Sequence, residues 1–75
     1  MNIKQVVGDN IRFIRHKREI TLDALSGITG MSRTFISDIE RSQKVPSIVS
    51  LEKIAKALKV TPASLLTPNA YKTID

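Results

Sequence analysis

The chain has no cysteine in its 75 residues, which excludes disulfides and cysteine-rich zinc sites. No apolar run approaches the roughly 20 residues of a membrane span. The N-terminal stretch Met1-Asn2-Ile3-Lys4-Gln5 lacks the apolar segment of a secretory signal. The cytoplasm is therefore the expected compartment. No Gly-rich phosphate loop is present. His16 is the single histidine, placed among arginines and lysines, and is read as a solvated helix end. The acidic residues Asp9, Glu19, Asp23, Asp38, Glu40, Glu52 and Asp75 show no metal-ligand spacing. Neither an enzyme nor a metal or other cofactor is expected. Sustained alternation of apolar and polar residues is also missing, so no strand is predicted.

What the chain does carry is positive charge. Twelve Lys and Arg face seven Asp and Glu, giving a formal net charge of +5 and a pI of about 10.0. Basic domains of this kind often bind polyanions. A membrane-surface role is disfavoured, because no helical segment joins a large apolar face to a lysine-rich one. The length predicts one domain over residues 1–75, with a core unit over 7–66 and a short tail over 67–75. A domain near this size buries only about 60% of its unfolded-chain surface and would gain from dimerisation.

The periodicity reads as helical throughout. Helix 1 is predicted from about Ile3 to Arg18, with Ile3, Val7, Ile11 and Ile14 recurring at spacings of three and four. Its last turn is cationic, which suits the negative end of the helix dipole. Thr21 is a good N-cap for helix 2, about Leu22 to Thr29, with Leu22, Leu25 and Ile28 as its stripe. Ser26 and Gly27 lie mid-helix, where small residues permit close approach of another helix. Gly30 then offers the left-handed conformation that ends a helix cheaply. Ser32 caps helix 3, about Arg33 to Arg41, and Ser42-Gln43-Lys44-Val45 is a loop. Pro46-Ser47 starts helix 4, about Ile48 to Lys59, with a stripe of Ile48, Leu51, Ile54, Ala55 and Leu58. Thr61-Pro62 opens a short helix 5 that ends near Leu66, and Ala70 to Asp75 is read as a tail. The fold class is all-α, a compact five-helix arrangement.

Helix 3 is divided by side-chain type. At 100° per residue, Phe35, Ile36 and Ile39 fall on one side with Glu40 at the edge, and Arg33, Thr34, Ser37, Asp38 and Arg41 on the other. The helix also breaks local rules. Arg33 is a cation at the positive end of the dipole, at a cost of about 0.3–1 kcal/mol. Thr34, Phe35 and Ile36 are mediocre helix formers. Such conflicts tend to mark functional sites. Three residues, Gly30-Met31-Ser32, join helices 2 and 3. A connection this short makes the two helices cross steeply, as in a helix-turn-helix unit.

Taken together, Ile11-Arg12-Phe13-Ile14-Arg15, Thr21 to Leu25, Gly30 to Arg41, and Pro46-Ser47 with Leu51 to Leu58 resemble the Cro/repressor, or XRE, helix-turn-helix family. The likeness covers about Val7 to Leu66, and within the family residues 33–41 look most like the controller proteins of restriction–modification systems. The resemblance implies a lambda-repressor-like fold and a transcriptional regulator that binds double-stranded DNA as a homodimer on a pseudo-palindromic operator. RNA polymerase is a candidate further partner, and no small-molecule ligand is implied. Arg33, Thr34, Ser37 and Asp38 match positions that reach base edges. Arginine can grip guanine O6 and N7, and Asp38 could accept from cytosine N4 or orient Arg33. Arg41, Ser42, Gln43 and Lys44 match the phosphate-holding loop, with Thr21 and Ser32 as further phosphate contacts at helix starts. Arg15 and Glu40 match a family pair that joins helices 1 and 3. Leu65, Leu66, Tyr71 and Ile74 are candidates for a dimer surface.

The chain departs from the family where glutamine usually follows the helix 2 cap. Leu22 stands there and cannot hold a phosphate by its side chain, although backbone N–H groups at the helix start could. Ser26 and Thr29 replace a usual alanine and leucine, and Phe13 stands where a polar residue is common, free to meet the tail or a partner subunit. The rival class is a helical protein-interaction module, such as an antitoxin with secondary DNA binding. Antitoxins of this family usually carry a further segment, and residues 67–75 are short for one.

Overall fold

The computed structural model describes residues 2–74. It contains helices α1 (Ile3–Lys17), α2 (Leu22–Thr29), α3 (Arg33–Glu40), α4 (Ile48–Leu58) and α5 (Pro62–Leu66), followed by a 3-10 turn over Ala70–Lys72. The fold is all-α, with no strand among the described residues. Each α-helix starts on a side-chain oxygen. Asn2 accepts from Lys4 N, Thr21 from Ala24 N, Ser32 from Phe35 N, Ser47 from Ser50 N and Thr61 from Ser64 N. These bonds satisfy backbone donors that have no partner inside the helix.

The ends of α1 to α4 divide into two kinds, whereas α5 ends on an extended Thr67. Gly30 ends α2 at φ 73°. Three other ends use a left-handed residue that is not glycine: Glu19 (φ 57°), Ser42 (φ 63°) and Lys59 (φ 61°). At each, the next residue donates back across the last turn, from Ile20 N to Arg15 O (3.0 Å), Gln43 N to Asp38 O (2.8 Å) and Val60 N to Ala55 O (2.9 Å). This is the Schellman closure of a helix C-terminus. It shortens α1, α3 and α4 by one residue each relative to the predicted ends.

The core is built around α1, which packs against α3, α4, α5 and the 3-10 turn. Ile11, Ile14, Leu25, Ile36, Ile39, Ile54, Leu58 and Leu65 are fully buried. At Gly8 α1 lies close against the backbone of α3. A Cβ there would lie 2.5 Å from the Ile39 carbonyl oxygen and 3.0 Å from that of Glu40. Close approach was expected at Gly27 instead, but nothing lies within 4 Å of a Cβ built there. Two stripes are also corrected. In α2 the buried positions are Leu25 and Thr29, and Ile28 is 63% exposed. In α4 the stripe begins at Leu51, and Ile48 is 87% exposed. Ile48 lies at the N-terminal end of α4, one turn ahead of the buried Leu51, whereas the buried face of α2 runs from Leu25 to Thr29, four residues apart, and so turns Ile28 outward.

The segment read as a tail, as far as Ile74, is folded back on α1, and Asp75 lies outside the described residues. Asn10 is fully buried. Its amide nitrogen donates to the carbonyls of Ser64 (3.2 Å), Leu65 (3.0 Å) and Thr67 (2.9 Å), and its oxygen accepts from Tyr71 N (3.2 Å). Lys17 Nζ donates to the Tyr71 carbonyl at 3.1 Å and also to that of Ile74. Phe13 stacks on Tyr71 with ring centroids 4.7 Å apart. The dimer surface expected from this region is thereby reduced. Leu65 is fully buried in its own chain, and Tyr71 and Ile74 are half-buried against the core, while Leu66 stays 43% exposed.

Candidate nucleic-acid interface

The turn between α2 and α3 is held by side chains as well as by Gly30. Ser26 Oγ donates to the Met31 carbonyl at 2.6 Å. Thr29 Oγ1 donates to the Leu25 carbonyl at 2.7 Å and accepts from Met31 N at 3.3 Å. The residues that replace the family's usual alanine and leucine thus tie the turn to the end of α2. Ser32 then caps α3, its Oγ accepting from Phe35 N at 3.1 Å.

α3 is anchored through Ile36 and Ile39, both fully buried, and through Glu40. Arg15 Nε lies 2.8 Å from Glu40 Oε2 and Arg15 Nη2 lies 3.1 Å from Oε1, a bidentate pair whose side chains are only 11% and 7% exposed. Arg15 Nη1 also donates to the Ile20 carbonyl at 3.0 Å. The pair fixes α3 to α1 on the side away from solvent. Phe35 is half-buried and packs against the core, with Lys44 Nζ 5.8 Å from its ring centroid.

The outer face of α3 opens on a shallow groove. Arg33, Thr34, Ser37 and Arg41 line it from α3, and Thr21, Leu22 and Asp23 from the start of α2. The sequence-predicted base readers Arg33, Thr34 and Ser37 are therefore brought together, with Thr21 and Arg41 beside them. Asp38 is not part of that wall. Its Oδ1 lies 2.6 Å from Arg41 Nη2 and its Oδ2 lies 3.6 Å from Lys44 Nζ. It does not orient Arg33, because positions five apart on a helix lie about 140° apart, whereas i and i+3 share a face. The partner of Arg33 is Asp23, at 2.8 Å from Nη1 to Oδ1. Sequence reasoning gave Asp23 no role, and its signal was an acid two residues after a cap.

The loop expected to hold phosphates is internally bonded. Ser42 N donates to the Ile39 carbonyl, Gln43 N to that of Asp38, and Gln43 Nε2 to that of Arg41 at 3.2 Å. The groups left outward are the charged ends of Arg41 and Lys44, 65% and 56% exposed. Asn10 is the other residue missed. It lies three residues after Val7 and four before Ile14, on the apolar stripe itself, and a lone amide at that spacing was the available signal.

A basic chain, a three-residue turn braced by α2, and a second helix with a polar outer face define a helix-turn-helix DNA-binding protein. Comparison with known proteins agrees. Residues 8–70 match the helix-turn-helix domain family. The control protein C.BamHI of Bacillus amyloliquefaciens is 41% identical over 66 residues, covering 87% of this chain and 82% of its own. The crystal structure of the hypothetical transcription factor NHTF from Neisseria superposes with a TM-score of 0.85 at 28% identity, over 95% of this chain and 82% of that one. The solution structure of the DNA-binding domain of the C2 repressor, a protein of Salmonella phage P22, gives a TM-score of 0.79 at 36% identity, over 95% and 99%. The chain belongs to the helix-turn-helix domain family and is a DNA-binding transcriptional regulator, not an enzyme. Among the described residues no helix is long and apolar enough to cross a membrane.

Proposed function

We propose that the protein regulates transcription by binding a pseudo-palindromic operator as a homodimer, with α3 of each copy in the major groove. The observation that carries this reading is the shared groove of Arg33, Thr34, Ser37 and Arg41 with the start of α2. Arg33, Thr34 and Ser37 read base edges. Arg41 and Lys44 hold phosphates, and Asp38 orients both cations instead of accepting from a base. Thr21 and Ser32 spend their side-chain oxygens on capping, so their contribution to phosphate contact is the helix start they create.

Size supports the dimer. The longest extent of one copy is 28 Å. Successive major grooves on one side of B-DNA repeat at about 34 Å. One copy therefore presents one recognition helix, and two copies are needed to read adjacent grooves. RNA polymerase and its promoter are reached through the position of the operator.

Selection of DNA from a random pool by the purified protein tests the reading. The enriched sequences are expected to carry two inverted half-sites about 10 base pairs apart. Affinity for the selected duplex should fall steeply with salt, as each copy displaces several counterions. An unenriched pool together with a flat salt response would overturn the proposal.

A further inference from the structure

Asp23 is a carboxylate on a surface that meets phosphate. It is the second residue of α2, in the first turn after the Thr21 cap. An acid there suits the helix dipole, but that does not account for its reach across the turn to Arg33. The two side chains are 73% and 67% exposed, and an exposed ion pair adds little to folding. Its cost to binding is larger, since a fixed negative charge repels every duplex regardless of sequence.

We infer that Asp23 determines specificity through Arg33, holding the guanidinium toward base edges and away from the phosphate backbone. The inference rests on the reading of α3 as the base-reading helix. An untethered arginine on a basic surface takes the nearest phosphate, which adds affinity to any sequence. Guanine recognition needs the planar fork presented at one angle, so that two donors meet O6 and N7 together. Asp23 Oδ1 lies 2.8 Å from one corner of the fork, Nη1, and so restrains where the guanidinium sits, leaving its other donors for a base. It also makes a phosphate a poorer trade, because Arg33 must give up one anion to gain another.

Leu22 fits this arrangement. The resembling family usually places a phosphate-binding glutamine there, and leucine cannot donate. The side chains at the start of α2 thus supply an anchor for a base reader where the family's glutamine supplies a phosphate contact, and phosphate contact there is left to the backbone N–H groups. At the far end of the outer face, Asp38 neutralises Arg41 within its own helix, three residues along. Asp23 differs in coming from the neighbouring helix, so its pair with Arg33 depends on the turn that sets the angle between α2 and α3.

The experiment measures dissociation constants for the selected operator, for operators changed at one base pair, and for unrelated DNA of equal length, at one salt concentration. The proteins are wild type, Asp23→Asn, Asp23→Glu, Arg33→Ala and the Asp23→Asn/Arg33→Ala double variant, each checked for folding by thermal unfolding. Asp23→Asn is expected to tighten binding to unrelated DNA and to reduce discrimination at the base pair read by Arg33 by about tenfold. Asp23→Glu should recover part of that discrimination. In the Arg33→Ala background, Asp23→Asn should leave it unchanged. Equal tightening on all DNA would show simple repulsion and overturn the inference. So would a loss of discrimination that persists without Arg33. If Arg33→Ala itself alters no base preference, the reading of α3 fails instead. If Arg33→Ala collapses preference and Asp23→Asn does nothing, the inference about Asp23 alone fails.

Discussion

Two glycines show how one residue type carries opposite consequences. A methyl group on Gly8 would be driven into the backbone carbonyls of Ile39 and Glu40, neither of which can yield without moving α3. Gly8→Ala is expected to destabilise by about 1–3 kcal/mol despite its better helix propensity. Gly27→Ala meets open space and should stabilise by roughly 0.5–1 kcal/mol. Urea denaturation of both variants checks the pair, and similar shifts would contradict the packing described. Glu40 presents a larger effect. Truncating it to alanine leaves Arg15 charged and buried, at a cost of about 3–5 kcal/mol. The whole stability of a chain this long is only about 4–11 kcal/mol, so Glu40→Ala should lose a large share of it and melt at least about 10 °C lower. A melting curve shifted by only a few degrees would show that the pair is solvated. Arg15 and Glu40 could be matched in sequence because both stand in recognisable motifs. Asn10 could not be assigned in the same way. Its partners lie 54 to 61 residues along the chain, and only the folded tail brings them to it.

At the scale of elements, helix starts were legible and several helix ends were not. Thr21, Ser32, Ser47 and Thr61 act locally, through a side chain and a backbone N–H three residues away, so short spacing reveals them. Gly30 is equally plain. Glu19, Ser42 and Lys59 carry no such mark, because their left-handed backbone is imposed by the carbonyls behind them and by the packing of Ile20 and Val60 ahead. Each holds a conformation that costs an L-residue about 1–2 kcal/mol. Lys59→Gly removes that strain at the price of added freedom in the unfolded chain, and a net gain of about 0.5–1 kcal/mol is expected. A loss of stability on chemical denaturation would mean that the lysine side chain contributes more than its backbone costs. The outer face of α3 was legible from helical periodicity, but its pairing was not. Arg33 reaches Asp23 across a turn whose geometry periodicity does not describe. Within this helix and its loop, base readers and phosphate holders should separate in binding assays. Arg33→Ala is expected to cost about 1–3 kcal/mol on the operator and to relax preference at one base pair. Lys44→Ala should weaken all sequences about equally and reduce the salt slope by about 1. Equal behaviour of the two variants would contradict the division of this surface.

For the whole molecule, the open question is which apolar surface joins two copies in the proposed dimer. A domain of this size gains stability from such burial, and among the exposed apolar residues, which also include Ile3, Phe13, Ile28 and Val45, two places stand next to elements that constrain a partner copy. Leu66, 43% exposed, lies at the end of α5 beside the docked tail, whereas Ile48 and Val49, 87% and 63% exposed, lie at the start of α4. Asn10 and Lys17 hold the tail on α1, so the ground around Leu66 is ordered before any partner arrives and little entropy is lost on association. The start of α4 follows directly on the Lys44 loop, where a partner copy would have to share space with the phosphate backbone. The α5 surface is therefore the expected seat. A glutamate at position 66 leaves the fully buried Leu65 in place, so Leu66→Glu should preserve the thermal unfolding of the monomer. It should shift sedimentation from dimer to monomer and weaken operator binding at least tenfold, because a half-site bound alone loses the effective concentration supplied by its partner. Ile48→Glu serves as the counter-test. If it, and not Leu66→Glu, splits the dimer, the two copies meet through α4, and the two copies of α3 are then held by the same element that follows their phosphate loops.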